Sequence, residues 1–122
     1  MKILIVEDQA ELRRLMRLAV GRGGHDILEA ADAAAAWSLA LEHRPDVALL
    51  DIMMPGAMDG LDLCRLLKSD LRTCAVRVVI TSARGHRNDM LIGEAAGADA
   101  YLVKPYSPRR LAEIVDGLLA AA

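Results

Sequence analysis

Phenylalanine is absent from this sequence of 122 residues, which also has only one tryptophan and two tyrosines. Aliphatic residues and alanine must therefore fill the core, and a hydrophobic content of 54% is enough to form one. A chain of this length and composition is expected to fold as one compact domain over residues 1–122 and not to remain disordered.

Cysteine is also scarce, and the sequence has no excess of positive charge. The two cysteines, Cys64 and Cys74, give neither a disulfide framework nor a zinc pattern, so we expect reduced thiols. With 15 basic and 17 acidic residues there is no basic excess, which argues against direct nucleic-acid binding by this domain. No apolar run reaches transmembrane length, and the first run meets Glu7 and Asp8 too early for a secretory signal. A cytoplasmic protein without membrane insertion is expected.

Five short apolar runs predict five strands. They span residues 3–6, 26–30, 47–50, 76–80 and 100–103. Three of the runs are nearly continuous and rich in valine and isoleucine, as is typical of parallel strands that are covered on both faces.

Amphipathic patterns between the strands predict helices. In the first helix, one apolar stripe holds Leu12, Leu15, Met16, Ala19 and Val20. Asp8 caps this helix, contributes to a site, or does both. The arginines of the same helix are expected on its solvated face; they are Arg13, Arg14 and Arg17.

The remaining helices are recognised by their first residues and stripes. Asp32 and Asp59 are expected to begin the second and third, and Ser107 with Pro108 the fifth. A fourth covers about residues 90–96 and ends at Gly97. The inward positions of the third helix are Leu61, Cys64, Leu67 and Leu71. Strict alternation of strand and helix predicts an α/β fold: a flavodoxin-like, doubly wound (βα)5 domain with a five-stranded parallel sheet in the order 2-1-3-4-5.

Polar residues follow four of the strands at their carboxyl ends. They are Asp8, Asp51, Thr81 and Lys104. Because the carboxyl ends of parallel strands lie at one edge, we expect these side chains to share a site, at the point where the strand order reverses.

The chemistry of this set points to phosphoryl transfer. Glu7, Asp8 and Asp51 would repel one another unless a cation lay between them, and carboxylate oxygens suit Mg²⁺. Lys104 can pair with a phosphate oxygen and Thr81 can donate a hydrogen bond to another. Asp51 beside Mg²⁺ and lysine is then a nucleophile that accepts a phosphoryl group.

Four sequence motifs occur in order at these strand ends. They are Val6-Glu7-Asp8; Leu50-Asp51-Ile52-Met53-Met54-Pro55 followed by Asp59-Gly60; Thr81-Ser82-Ala83; and Gly97-Ala98-Asp99-Ala100-Tyr101-Leu102-Val103-Lys104-Pro105. Together they make the whole chain resemble the chemotaxis-regulator-like receiver domain of response regulators in two-component systems. Each motif alone is weak, whereas the ordered set is specific.

The resemblance implies roles for particular residues. Glu7, Asp8, Asp51 and the Met53 backbone carbonyl would hold Mg²⁺. Asp51 would be phosphorylated by a sensor histidine kinase or a histidine phosphotransfer protein, and Lys104 would contact the phosphoryl group. The Lys104–Pro105 bond is expected to be cis.

The resemblance also implies a switch. Thr81 and Tyr101 would form the switch pair, and the face of the fourth helix, fifth strand and fifth helix would then control a downstream protein or output domain. Met53 and Ala83 would flank the approach of water to the phosphorylated aspartate. The chain departs from the family pattern at Tyr106, where phenylalanine is usual, and in the loop 55–60, which is one residue longer than the common form.

Other functions were weighed against this one. A phosphatase of the haloacid dehalogenase type needs a second aspartate where Met53 stands, so an enzyme with an external substrate is disfavoured; the chain would catalyse only its own phosphorylation and dephosphorylation. An FMN-binding module would need a phosphate loop that is not acidic, and a receiver that is never phosphorylated would lack Asp51 or Lys104.

A single-domain regulator and a receiver within a longer protein both remain open. The last helix lacks the arginine-rich ending of receivers joined to winged-helix DNA-binding domains, which disfavours that class.

Overall fold

The computed structural model describes residues 1–120, and its strands and helices alternate as the sequence predicts. The strands are β1 (Lys2–Val6), β2 (Asp26–Ala30), β3 (Val47–Asp51), β4 (Arg77–Ser82) and β5 (Ala100–Val103). The helices are α1 (Ala10–Val20), α2 (Ala33–His43), α3 (Gly60–Ser69), α4 (Arg87–Ala95) and α5 (Pro108–Ala120), and a short 3₁₀ turn (Gly21–Gly23) follows α1. The predicted domain also includes residues 121 and 122, which lie outside the described residues.

The five strands form one sheet in the order β2-β1-β3-β4-β5, with every neighbouring pair parallel. This confirms the predicted topology, including the reversal of strand order between β1 and β3. Every residue of the central strand β3 is buried, because helices cover both faces of the sheet. Among residues 1–120, no helix combines the length and apolarity needed to cross a membrane.

Apolar side chains pack into two clusters, one on each face of the sheet. Alternate residues of each strand point to opposite faces, so Leu50 and Ile80 belong to one cluster and Leu49 and Val79 to the other. The first cluster lies under α2 and α3, and the second lies under α1 and α5. Both are built from aliphatic residues and alanine, as the absence of phenylalanine requires.

Three helices begin at the predicted caps. The Asp32 side chain accepts a backbone N–H of α2 at 2.8 Å. Asp59 and Asp62 form a reciprocal capping box at the start of α3. The Ser107 hydroxyl oxygen accepts the Arg110 N–H at 3.1 Å in the first turn of α5.

Several local predictions are wrong. Gln9 precedes the first residue of α1 and no side chain caps this helix, so Asp8 does not take the capping role that the sequence left open. Leu71 is 93% exposed because α3 ends at Ser69, two residues before it. Leu15 is 57% exposed and lies on the outer side of α1.

Candidate functional site

Three carboxylates meet at the carboxyl edge of the sheet, next to the reversal of strand order. Glu7 and Asp8 follow β1, and Asp51 ends β3. Each offers an oxygen, and the three oxygens lie within 4.8 Å of one another. Glu7 is fully buried, Asp51 is 5% exposed, and Asp8 lies at the surface. The predicted acidic residues are therefore brought together, with one of them open to solvent.

Lys104 is the cation that faces this cluster. Its Nζ atom lies 3.1 Å from Glu7 Oε1 and 3.1 Å from Asp51 Oδ2. The loop after β5 carries Lys104 to this position, and the Lys104–Pro105 bond is cis, as predicted. One lysine thus faces three carboxylates, which leaves negative charge in excess.

The excess charge is reflected in the pKa values of the site. Burial, hydrogen bonding to Asp8 and the charge of Asp51 raise the pKa of Glu7 from 4.5 to about 7, although Lys104 acts in the opposite direction. Burial lowers the pKa of Lys104, but its contacts with Glu7 and Asp51 outweigh burial and raise that pKa overall. An additional cation would therefore relieve a real electrostatic cost, and an all-oxygen donor set fits Mg²⁺.

Neighbouring backbone contacts both the carboxylate and the main chain of Asp51. Oδ1 accepts the Met53 N–H at 3.2 Å, which places the Met53 backbone against the carboxylate. Gly60, the first residue of α3, packs so closely that a Cβ atom there would lie 2.1 Å from the Asp51 carbonyl oxygen. The start of α3 therefore rests directly on the backbone of the phosphoacceptor candidate.

Thr81 and Tyr101 lie on opposite faces of the sheet, so the structure does not bring this predicted pair together. In the β4–β5 register Thr81 is opposite Leu102, and Tyr101 is opposite Ile80. Thr81 is fully buried and its hydroxyl is 3.5 Å from the Leu50 carbonyl oxygen.

Ser82, which the sequence reasoning passed over, lies on the same face as Tyr101. It is fully buried, and its oxygen accepts the Arg84 N–H at 3.0 Å. Within residues 1–120 no acceptor is present for the hydrogen of this hydroxyl. The alternation of side chains along β4 is the signal that could have identified Ser82, because Val78, Ile80 and Ser82 share one face.

Tyr101 reaches from β5 to the loop after β4. Its ring packs on Gly93 of α4, where an added Cβ atom would lie 2.8 Å from the ring. Its hydroxyl donates to the Arg84 carbonyl oxygen at 2.7 Å. The Arg84 guanidinium in turn lies 3.2 Å from the Met53 sulfur, beside the acidic cluster. Ala83 faces another way and lines a cavity with Lys104 and Tyr106.

The Tyr106 hydroxyl is a buried oxygen with no hydrogen-bond partner among residues 1–120. Burial, together with the charges of Glu7 and Asp51, raises the pKa of Tyr106 to about 12. The replacement of the usual phenylalanine therefore adds a neutral hydroxyl close to the acidic site.

Comparison with known proteins agrees with this fold and site. The sequence matches the response regulator receiver domain over residues 3–116. It is 39% identical over 121 residues to the transcriptional regulatory protein ResD of Bacillus subtilis, covering 99% of this chain and 49% of ResD. It is 38% identical over 109 residues to the phosphate regulon transcriptional regulatory protein PhoB of Pseudomonas aeruginosa, covering 89% of this chain and 47% of PhoB. The structure of the chemotaxis protein CheY4 of Vibrio cholerae superposes with a TM-score of 0.88 at 25% identity, covering 96% of this chain and 97% of CheY4.

An acidic pocket at the reversal point of a five-stranded parallel sheet, with a lysine facing it, defines a receiver domain. The chain belongs to the response regulator receiver family of two-component signal transduction. It spans about half the length of the curated relatives that it matches.

Proposed function

We propose that this chain is a phosphoaccepting receiver in which Asp51 takes a phosphoryl group from a histidine kinase or a histidine phosphotransfer protein. The observation that carries the proposal is the buried acidic cluster, in which Lys104 lies 3.1 Å from both Glu7 and Asp51. An Asp51 oxygen attacks phosphorus, the bond from phosphorus to the donor's imidazole nitrogen breaks, and an acyl phosphate forms on Asp51.

Mg²⁺ is proposed to be held by Glu7, Asp8, Asp51 and the Met53 carbonyl. When bound, it supplies positive charge that neutralises the phosphoryl oxygens. Lys104 pairs with a phosphoryl oxygen once Asp51 carries the acyl phosphate, because its ammonium already lies at the attacking carboxylate. The Met53 N–H holds the other Asp51 oxygen in place for the attack.

A hydroxyl is proposed to bind another phosphoryl oxygen, and Ser82 is a better candidate than Thr81. The Thr81 hydroxyl already faces the Leu50 carbonyl oxygen, whereas the Ser82 oxygen only accepts a hydrogen bond, so its own hydrogen is available. Ser82 also shares a face with Tyr101, which allows a movement of the hydroxyl to be transmitted to that side chain.

The response is proposed to pass through Tyr101 to the face of α4, β5 and α5. α4 exposes three consecutive apolar residues, which are Met90, Leu91 and Ile92, and Met90 lines a cavity together with Tyr101 of β5. Reversing the equilibrium from 1:99 to 99:1 requires the phosphoryl group to favour the active state by about 5.5 kcal/mol. This face is proposed to bind a downstream protein or an output domain. The transcriptional regulators among the relatives support an output domain.

Phosphorylation by acetyl phosphate in Mg²⁺ tests the central claim. Intact mass should increase by one phosphoryl group, and the adduct should be lost in Asp51→Asn. Asp116→Asn, a substitution of an exposed aspartate on α5, is the matched control and should be phosphorylated as the parent is. Labelling that persists in Asp51→Asn would place the phosphoryl group elsewhere.

The hydroxyl assignment has its own test. Ser82→Ala is expected to weaken the partner response of phosphorylated protein more than Thr81→Ala does. Equal losses in partner affinity, or a larger loss in Thr81→Ala, would return the role to Thr81.

A further inference from the structure

Arg13 contacts both the backbone of the acidic site and a carboxylate on β2. Its NH1 atom donates to the Glu7 carbonyl oxygen at 2.7 Å, and its Nε lies 3.4 Å from Glu29 Oε1. The side chain is only 22% exposed. The prediction that Arg13 lies on the solvated face of α1 is therefore wrong.

The contact with Arg13 completes the fixation of Glu7. The Glu7 N–H donates to the Ala30 carbonyl oxygen at 3.0 Å. The Glu7 carbonyl oxygen is not bound by a neighbouring strand, and Arg13 donates to it instead. The Glu7 carboxylate is then held by Lys104 at 3.1 Å and by the Gln9 N–H at 3.3 Å. A charged donor to a carbonyl is among the stronger hydrogen bonds, so this contact restrains the turn that carries Glu7 and Asp8.

Arg17 provides an internal comparison. It lies one helical turn after Arg13, on the same side of α1, and pairs with the other oxygen of Glu29. Within residues 1–120 Arg17 makes no contact with Glu7. Both arginines therefore pair with Glu29, but only Arg13 contacts the acidic site.

We propose that Arg13 is a positioning residue for the Mg²⁺ site: by binding the Glu7 carbonyl, it fixes the turn that presents Glu7 and Asp8 to the metal. This inference rests on the proposed function, in which these two residues bind Mg²⁺. Partners of this kind, which orient the ligands of a metal, typically change its affinity by 10- to 100-fold when removed.

The charge of Arg13 would have the opposite effect. A bare cation near the site repels Mg²⁺, so its removal would tighten binding if the field alone mattered. Glu29, which pairs with both Arg13 and Arg17, offsets part of this charge, and the positioning effect is therefore expected to dominate. The sign of the change in affinity thus separates the two effects.

The experiment is a Mg²⁺ titration of the unphosphorylated full chain, followed by amide chemical shifts near Glu7 and Asp51. Arg13→Met keeps the length of the apolar stem and removes the donors, and Arg17→Met is the matched control that removes only an ion pair with Glu29. We expect the Kd for Mg²⁺ to rise about tenfold in Arg13→Met and to stay within about twofold of the parent in Arg17→Met. At saturating Mg²⁺, the rate of phosphorylation by acetyl phosphate should be restored in Arg13→Met, because the reacting groups are intact.

The outcomes are distinct. A parent that binds no Mg²⁺ would refute the proposed function, whereas a parent that binds it with an Arg13→Met variant of equal or higher affinity would refute the role of Arg13 alone. Equal weakening in both arginine variants would also refute it, since a general loss of stability would explain the result. If Arg13→Met does not fold, Arg13→Gln decides: its amide stays polar but ends two bonds short of the guanidinium NH1 that binds the Glu7 carbonyl, so a Kd equal to that of the parent would overturn the inference.

Discussion

Two lysines of similar exposure sit against carboxylates at different places in this fold. Lys104 is 21% exposed and faces Glu7 and Asp51, each at 3.1 Å. Lys68 is 20% exposed and lies 2.8 Å from Asp99. The chemical groups are the same, but the ratio of charges is reversed: Asp99 has a second cation, Arg77, at 4.0 Å, whereas Lys104 has a second anion.

In the cluster of Lys68, Asp99 and Arg77, the lysine and the aspartate each make a further hydrogen bond to the backbone. Lys68 also donates to the Val76 carbonyl oxygen at 2.7 Å, and Asp99 also accepts the Val78 N–H at 2.8 Å. This set fastens α3 to the start of β4 and the loop before β5. The acidic cluster at Lys104 keeps negative charge that no second cation neutralises, and this surplus favours the cation of the proposed function.

The largest effect is expected at Lys104. Lys104→Met should slow phosphorylation by acetyl phosphate by about a hundredfold, because the charge that pairs with the transferring oxygens is removed. Rates measured at saturating Mg²⁺ separate this loss from a change in metal affinity. Lys68→Met should phosphorylate at the rate of the parent, and a slow Lys68→Met would remove the distinction between the two lysines.

The second largest effect is expected on the free energy of unfolding, and it should appear when Lys68 is replaced. Lys68→Met leaves Asp99 with only the more distant Arg77, and should lower the free energy of unfolding by about 2 kcal/mol, less than for a fully buried pair. Denaturant unfolding in Mg²⁺ measures this change. A loss in Lys104→Met as large as that in Lys68→Met would contradict the comparison.

Removing one acid from each cluster should have opposite effects on the metal-free protein. Glu7→Gln removes a carboxyl whose pKa is raised to about 7, so it should stabilise the protein by about 1–3 kcal/mol at pH 8. Asp99→Asn should destabilise it, because Lys68 and Arg77 lose their partner.

The pH dependence follows from the direction of the Glu7 shift. A raised pKa means that the folded protein binds a proton more tightly, so the contribution of Glu7 is most favourable below pH 4.5 and is lost as pH rises through about 7. The advantage of Glu7→Gln should therefore grow between pH 5 and pH 8 in urea titrations without metal. An advantage that is constant across this range would show that Glu7 does not carry the surplus charge.

The smallest effect concerns the lifetime of the phosphorylated state. The Met53 backbone contacts the Asp51 carboxylate and its sulfur contacts Arg84, but the Met53 side chain cannot orient a water by hydrogen bonding. Met53→Asn should speed the loss of phosphate by about tenfold, which corresponds to ~1.4 kcal/mol of barrier. The decay is followed after removal of the donor at constant Mg²⁺, with the exposed Leu71→Asn as the control. Equal decay in the parent and Met53→Asn would mean that water reaches Asp51 by another route.

Periodicity in the sequence predicted most of the fold, because most strands and helices have an apolar pattern of their own period, whereas α4 was recognised from its end at Gly97. The acidic edge was also predictable, since Asp51 and Lys104 follow strands in a parallel sheet. The sequence pointed to Thr81 and not to Ser82 because the apolar run ends at Ile80, while backbone pairing continues β4 to Ser82. The half-buried position of Arg13 was not predicted, because its ion pair with Glu29 on the neighbouring strand β2 joins segments that are separated in sequence, and no local pattern reports such a contact.

The hydrogen bond from the Gly60 N–H to the Ile52 carbonyl oxygen, 3.2 Å long, closes the loop of residues 53–59 at its base. Once both ends of a loop are tied, the entropy lost on closing it changes only slowly with the number of residues inside, roughly 0.6 kcal/mol for each doubling of length. A residue can therefore be inserted in or removed from the outer part of this loop without moving Asp51 or the start of α3. The length of this segment can therefore change while Asp51 keeps its position.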